Sequence, residues 1–244
     1  MTNGPGTLKR AGAPSAAARI RRRIERGGER FWCVSDFSDL PPRTVARTLA
    51  RLAEAGVVER VRHGLYYRSR PTVVGPSIPS ATAVARHVVG APVHAAGLSA
   101  ANVLGLTTQN PARQELATPA ANPPSALGNA VVHTRRPASR AHLNDEEGAL
   151  IEILRTRGRY SDVGPARTVR RLLRILGTGD RFERVARTAL DEPPRVRAML
   201  GALGEELDAK PRTLKRLRDS LNPLSTFDFG LFRDLPAAKN WQAR

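Results

Sequence analysis

The sequence predicts an α+β protein: a small basic N-terminal module of helices closed by a β-hairpin, then a mostly helical domain carrying a small sheet. Three observations predict it. Over residues 15–70 a helical apolar period gives way to strand-like runs and ends in a two-residue turn signal. Residues 71–79 (PTVVGPSIP) then interrupt the chain with three prolines and a glycine, which no continuing regular element accommodates. Beyond residue 144 the apolar pattern is helical to near the end. The expected organisation is a disordered start at 1–14, rich in Gly, Pro and Ala, a first domain at 15–70, a linker at 71–79 and a second domain at 80–244.

In the first domain, ARIRRRIERGG sets Ile20 and Ile24 four apart on one helical face, with arginines around the rest. The β-prone residues 31–34 predict a short strand, and Ser35 caps a short helix over 36–40. Pro41 and Pro42 break the chain and open a second helix, RTVARTLARLAEAG. At about 100° per residue, Val45, Leu49 and Leu52 cluster on one side. Arg43, Arg47 and Arg51 cluster almost opposite, flanked by Thr44 and Thr48. Gly56 stops the helix, and VVERVR, His63-Gly64 and LYYR read as a hairpin.

Helix, strand, short helix, turn, second helix and hairpin is the order of a winged helix-turn-helix. A recognition helix must bury one face in its own domain and offer hydrogen-bond donors to the major groove from the other. Arg43, Thr44, Arg47, Thr48 and Arg51 have the chemistry for that, and Arg62, His63 and Arg68 are expected on the wing, near phosphates or the minor groove. The alternative is a solvated arginine face on a small helical domain.

Charge favours the first of these. Lys and Arg number 40 against 22 acids, a net charge of +18, which points to a polyanionic partner. Residues 1–70 alone hold 15 basic and 6 acidic side chains. Only Lys9, Lys210, Lys215 and Lys239 are lysines. Arginine suits bidentate phosphate and guanine recognition, although a GC-rich genome would leave the same bias. The single cysteine, Cys33, and five scattered histidines make neither an intramolecular disulfide nor a spaced zinc cluster, so no metal or other cofactor is expected. The start lacks the apolar core of a secretory signal, and the stretch 81–106 is interrupted by Arg86, His87, Pro92 and His94. The expectation is therefore a cytoplasmic protein with no membrane partner.

In the second domain, residues 115–118 and 130–134 read as strands of a small sheet, and Ser99 as the cap of a helix with small residues at Ala100, Ala101 and Gly105. Asn144 reads as an N-cap ahead of Asp145, Glu146 and Glu147, with Gly158 ending that helix. Further helices are expected near 165–176, 181–190, 194–207 and 211–221. Phe227, Phe229 and Phe232, in a non-helical stretch, are read as pinning the chain end to the core. Arg167, Arg170, Arg171 and Arg174 lie off the apolar stripe of their helix, where a solvated face, a longer DNA footprint and an acidic partner all remain open.

The residues at 37–40 (FSDL), Val45-Ala46, 49–52 (LARL), Gly56-Val57-Val58 and 62–66 (RHGLY) resemble the N-terminal winged helix of AbiEi-type antitoxins of type IV toxin–antitoxin (abortive infection) systems. GLSAANVLGL at 97–106 is similar to a stretch of the same family, as are 195–200 and LNPLSTFDFG at 221–230 in outline. The resemblance implies two tasks. The winged helix would bind inverted repeats in operator DNA, as a dimer, and repress its own operon, while the C-terminal domain counters a nucleotidyltransferase-like toxin. It carries operator contacts only onto the helix holding Arg43 to Arg51 and onto the wing.

Enzyme readings have little to stand on: the chain has no P-loop, dinucleotide fingerprint, HExxH or G-x-S-x-G. Asp208-Ala209-Lys210, with Asp191 and Glu192 upstream, is the nearest thing to a nuclease pattern, but it ends a helical run instead of lying on a strand beside the earlier carboxylates. The expectation is therefore a non-enzymatic antitoxin and autorepressor. The alternative is a winged-helix regulator whose C-terminal domain senses a small ligand.

Overall fold

A computed structural model describes residues 14–122, 127 and 130–244; all but the last residue of the expected disordered start lies outside them. The chain is α+β and divides into two compact units, Met1–Ser80 and Ala81–Arg244. Among the described residues no helix is long and apolar enough to cross a membrane.

The first unit opens with helix α1 (Ala16–Arg26), whose N-cap Ser15 accepts the Ala18 N–H through its hydroxyl at 3.2 Å. Strand β1 (Arg30–Cys33) and a 3-10 turn (Val34–Phe37) follow. The turn replaces the short helix expected over 36–40, because Asp36 reaches back to accept the Cys33 N–H at 2.7 Å and starts the winding earlier. Helix α2 (Pro42–Glu54) begins with proline at its first position, where no N–H is needed. Strands β2 (Glu59–Arg62) and β3 (Leu65–Arg68) form a hairpin, with Gly64 at a φ of +74° in its turn. The sheet is antiparallel in the order β1-β3-β2. Ile20, Ile24, Trp32, Phe37, Val45, Leu49, Leu52, Val58 and Tyr66 make one core, with Trp32 and Phe37 stacked at 5.5 Å.

Residues 71–79, expected to hold no regular element, contain a small antiparallel ribbon of β4 (Pro71–Thr72) and β5 (Gly75–Pro76). The prolines fall at its outer pair, where a missing N–H costs little, and Gly75 takes the φ of +117° that the turn requires. Val73 and Val74 stand fully exposed at its tip.

In the second unit, α3 (Ala81–Val89), β6 (His94–Ala95) and α4 (Gly97–Val103) precede β7 (Glu115–Ala117) and β8 (Val131–His133). The sheet order is β6-β7-β8, with β6 antiparallel and β8 parallel to β7. Ser99 is not the cap of α4. It lies inside the helix and buried, where its hydroxyl accepts the Glu115 N–H at 2.9 Å and ties α4 to β7. Helices α5 (Asp145–Arg155), α6 (Pro165–Leu176), α7 (Arg181–Ala189), α8 (Pro194–Glu205) and α9 (Pro211–Asp219) make up the rest. A reciprocal capping box opens α5: Asn144 Oδ1 accepts the Glu147 N–H at 2.9 Å, and the Glu147 carboxylate accepts the Asn144 N–H at 3.0 Å. Helix α5 stops at Arg155, ahead of Gly158, and packs against α4, α6, α7 and α8. Phe229, Phe232 and Trp241 are buried in the core around these helices.

A charged layer runs through this core. Arg140, fully buried, donates to Glu192 at 2.6 Å and to Glu152 at 2.6 Å. Arg136 also holds Glu152 at 2.8 Å, and Arg155 holds Glu192 at 2.7 Å. Burial alone would raise the Glu152 carboxyl, but the hydrogen bonds from Arg136 and the charge of Arg140 outweigh it and hold it below the ordinary 4.5. His94 Nε2 donates to the Arg140 carbonyl at 3.1 Å, while its Nδ1 is buried without a partner. Burial pushes His94 below its ordinary 6.5. Gly148 admits the ring, since a Cβ there would lie 2.2 Å from Nδ1.

Both shifts have the same sign in stability. In each case the unfolded chain takes up a proton before the folded one does. The second unit is therefore expected to be most stable above pH 6.5, to weaken first below that value as His94 of the unfolded state protonates, and again below 4.5 through Glu152. Urea midpoints measured against pH check this, and the first step should be absent in His94→Gln.

Candidate nucleic-acid interface

Helix α2 sorts its residues by azimuth. Val45, Leu49 and Leu52 are buried, and Arg43, Thr44, Arg47 and Arg51 are exposed. The three arginines recur every four residues, so they rise about 6 Å at a time along one slowly turning stripe. Among the described residues none of the three guanidinium groups has a hydrogen-bond or ion-pair partner.

Thr48 departs from the expectation. It is 8% exposed and belongs to the buried side of α2. At 3.6 residues per turn it lies only about 40° from Leu52, on the flank of the apolar stripe and not of the arginines. Its side chain is not available to a groove.

Arg62 and His63 are both exposed, Arg62 at the end of β2 and His63 in the turn beside Gly64. Arg60, which the sequence reading omitted, is exposed on β2 and donates to His63 Nδ1 at 3.2 Å. That contact appears only once the strand register is known. Arg68 is a second departure: it pairs in register with Arg30 at the end of β3 remote from the turn, and is half-buried with its Nη1 enclosed. Four residues of strand separate it from Gly64, about 13 Å, so it stands at the base of the hairpin and not on its tip.

The acids of this unit settle the local electrostatics. Arg19 and Arg23 share Asp39 at 2.8 Å each, Arg21 meets Glu25 at 2.8 Å, Arg30 meets Asp36 at 2.7 Å, and Arg70 meets Glu29 at 2.6 Å. Glu29 also accepts from the Tyr67 hydroxyl, which with the Ser77 hydroxyl and Arg70 holds its carboxyl below the ordinary range. Four carboxylates are thus spent on arginines of α1, β1 and the β3–β4 junction. Glu54 sits in the last turn of α2, three residues after Arg51 and on the same face, at the C-terminal end of the arginine stripe. The positive charge left over includes the arginines of α2 and of the β2–β3 hairpin together with Arg22 and Arg26 of α1, and the exposed Glu59 of β2 offsets part of it. Exposed ion pairs add little to stability, so what this arrangement decides is where the field points.

Of the carboxylates with a nuclease-like spacing, Glu192 is consumed by Arg140 and Arg155, and Asp208 lies in a turn at a φ of +49° after α8. Among the described residues no group of three or more His, Cys, Asp or Glu is placed to hold a metal ion.

A protein-family profile described as a family of unknown function (DUF6088) matches residues 22–138, which takes in most of the first unit and the sheet of the second. Among solved structures, the chain is similar to the crystal structure of RV2827C protein from Mycobacterium tuberculosis at 18% identity and a TM-score of 0.46, covering 86% of this chain and 83% of that one. No curated protein matches.

Proposed function

We propose that the first unit is a winged helix-turn-helix that binds operator DNA, with α2 as the recognition helix and the β2–β3 hairpin as the wing. One observation carries this reading: Arg43, Arg47 and Arg51 project from one helical face whose opposite side is anchored in the core, and four of the unit's six carboxylates pair with other arginines. Guanidinium groups so presented suit bidentate contact with guanine, and Thr44 suits either a base or a phosphate. Arg60, Arg62 and His63 supply the phosphate contacts of the wing. Dimerisation on DNA follows from reading an inverted repeat.

The resemblance to AbiEi-type antitoxins extends the proposal to the whole chain: autorepression by the first unit, and neutralisation of a nucleotidyltransferase-like toxin by the second. In this reading the protein acts without a cofactor, as a cytoplasmic antitoxin. The test uses the full chain and the DNA immediately upstream of its own reading frame. Binding is expected to weaken with salt at a log–log slope of about −0.9 per phosphate contacted; a flat response would remove the DNA role. Co-expression with a neighbouring nucleotidyltransferase-like gene should restore growth, and failure to do so would leave a plain regulator.

The second reading, a regulator whose C-terminal domain senses a small ligand, is favoured by the arginine-lined cavity on α6.

A further inference from the structure

Helix α6 carries a second set of arginines that the second unit leaves almost uncompensated. Arg167, Arg170, Arg171 and Arg174 recur at i, i+3, i+4 and i+7 and share one face over about 10 Å. With Gly105 and Leu106 they line a cavity of about 340 Å³, and no carboxylate is among its lining residues. Arg167, Arg170 and Arg174 are exposed, and their guanidinium groups have no hydrogen-bond or ion-pair partner among the described residues. Arg171 is held in place: its Nε donates to the Leu104 carbonyl at 2.9 Å. Its Nη2 lies 3.6 Å from Glu146, a carboxylate already engaged by Arg181 at 2.8 Å.

Two features of α6 make this arrangement unfavourable without a ligand. The first turn holds Arg167 and no acid, a cation at the positive end of the helix dipole. The i, i+4 pairs Arg167–Arg171 and Arg170–Arg174 repel one another. Other arginines of the same unit, among them Arg136, Arg140, Arg155, Arg181 and Arg184, are paired with carboxylates.

We propose that this cavity binds a small phosphorylated ligand, between pyrophosphate and a nucleoside triphosphate in size. Guanidinium groups match phosphate oxygens in bidentate geometry, and four of them balance the three to four negative charges of such an anion. The volume lies in the range of small-molecule sites, about 300–1,000 Å³. Leu106 and Val163 add apolar wall. The inference stands apart from the DNA reading, since it concerns α6 and not α2.

The full chain is titrated with sodium pyrophosphate and, separately, with ATP, by calorimetry and thermal unfolding at ionic strength matched with sodium chloride. Saturable binding of one equivalent and a raised Tm are expected for at least one of the two. The double variant Arg170→Gln/Arg174→Gln should weaken it by about tenfold or more, and Arg170→Gln alone by about threefold or more. Both side chains are exposed and Gln is a good helix former, so the fold is retained. Affinity for the upstream DNA at fixed salt should stay within about twofold. No saturable binding of either anion at matched ionic strength, or equal binding by the double variant, overturns the proposal. So does loss of DNA affinity in a double variant whose parent binds neither anion, which would assign the face to duplex phosphates.

Discussion

Replacing Arg43, Arg47 and Arg51 together by Ala is expected to raise the Kd for the upstream DNA by about a hundredfold or more and leave folding almost untouched. Each arginine that reads a base contributes roughly 1–3 kcal/mol of discrimination, so the loss of the set comes to about 3 kcal/mol or more. The fold should not notice. The three side chains are exposed, and Ala is the better helix former, so thermal unfolding should move by no more than about 0.5 kcal/mol. Thr48→Ala is the internal contrast, because Thr48 is buried against the core side of α2. It should lower stability and leave the salt slope unchanged. Gel-shift titrations beside thermal melts separate the two effects, and DNA affinity lost with Thr48→Ala but kept in the triple variant would invert the assignment of the faces.

The second large effect is expected in the charged layer of the second unit. Glu192→Ala leaves Arg140 fully buried with Glu152 as its sole remaining carboxylate and strips Arg155 of its partner. Breaking one side of a buried ion pair typically costs about 3–5 kcal/mol, because the surviving charge stays desolvated. Glu192→Gln keeps the shape and one acceptor oxygen for the two arginines, the other position becoming an NH2 that only donates, and should cost less than Ala. Urea unfolding followed by Trp241 fluorescence in a Trp32→Phe background reports on this unit alone, since Trp32 lies in the first core and Trp241 in the second. A midpoint unchanged by Glu192→Ala would mean that the layer is wetter than its burial implies.

The legible parts of the sequence were those whose signal is local. Asn144 ahead of three acids announces the start of α5, proline opens α2, α6, α8 and α9, and the apolar period of α2 gives both its buried and its open face. The helices from 145 onward were readable for the same reason. What escaped depends on partners distant in sequence. Arg140 meets Glu192 across 52 residues and Glu152 across 12, and no spacing rule links the three. Thr48 was misplaced because a hydroxyl on the edge of an apolar stripe has no periodic signature of its own. Arg68 was assigned to the wing from its place after the turn, whereas the pairing of β3 with β1 draws it to the base of the sheet. The short helix α3 has mixed apolar and charged residues and follows a proline-rich stretch, so its periodicity did not stand out.

The most direct test of the α2 reading is a base-by-base profile: affinities of the parent chain and of Arg47→Ala for the upstream DNA and for each of its single base-pair variants. Recognition by Arg47 predicts that the substitution abolishes the preference at one base pair in each half of an inverted repeat and leaves the other positions as selective as before. An identical profile for the two proteins, with equal affinity throughout, would contradict it.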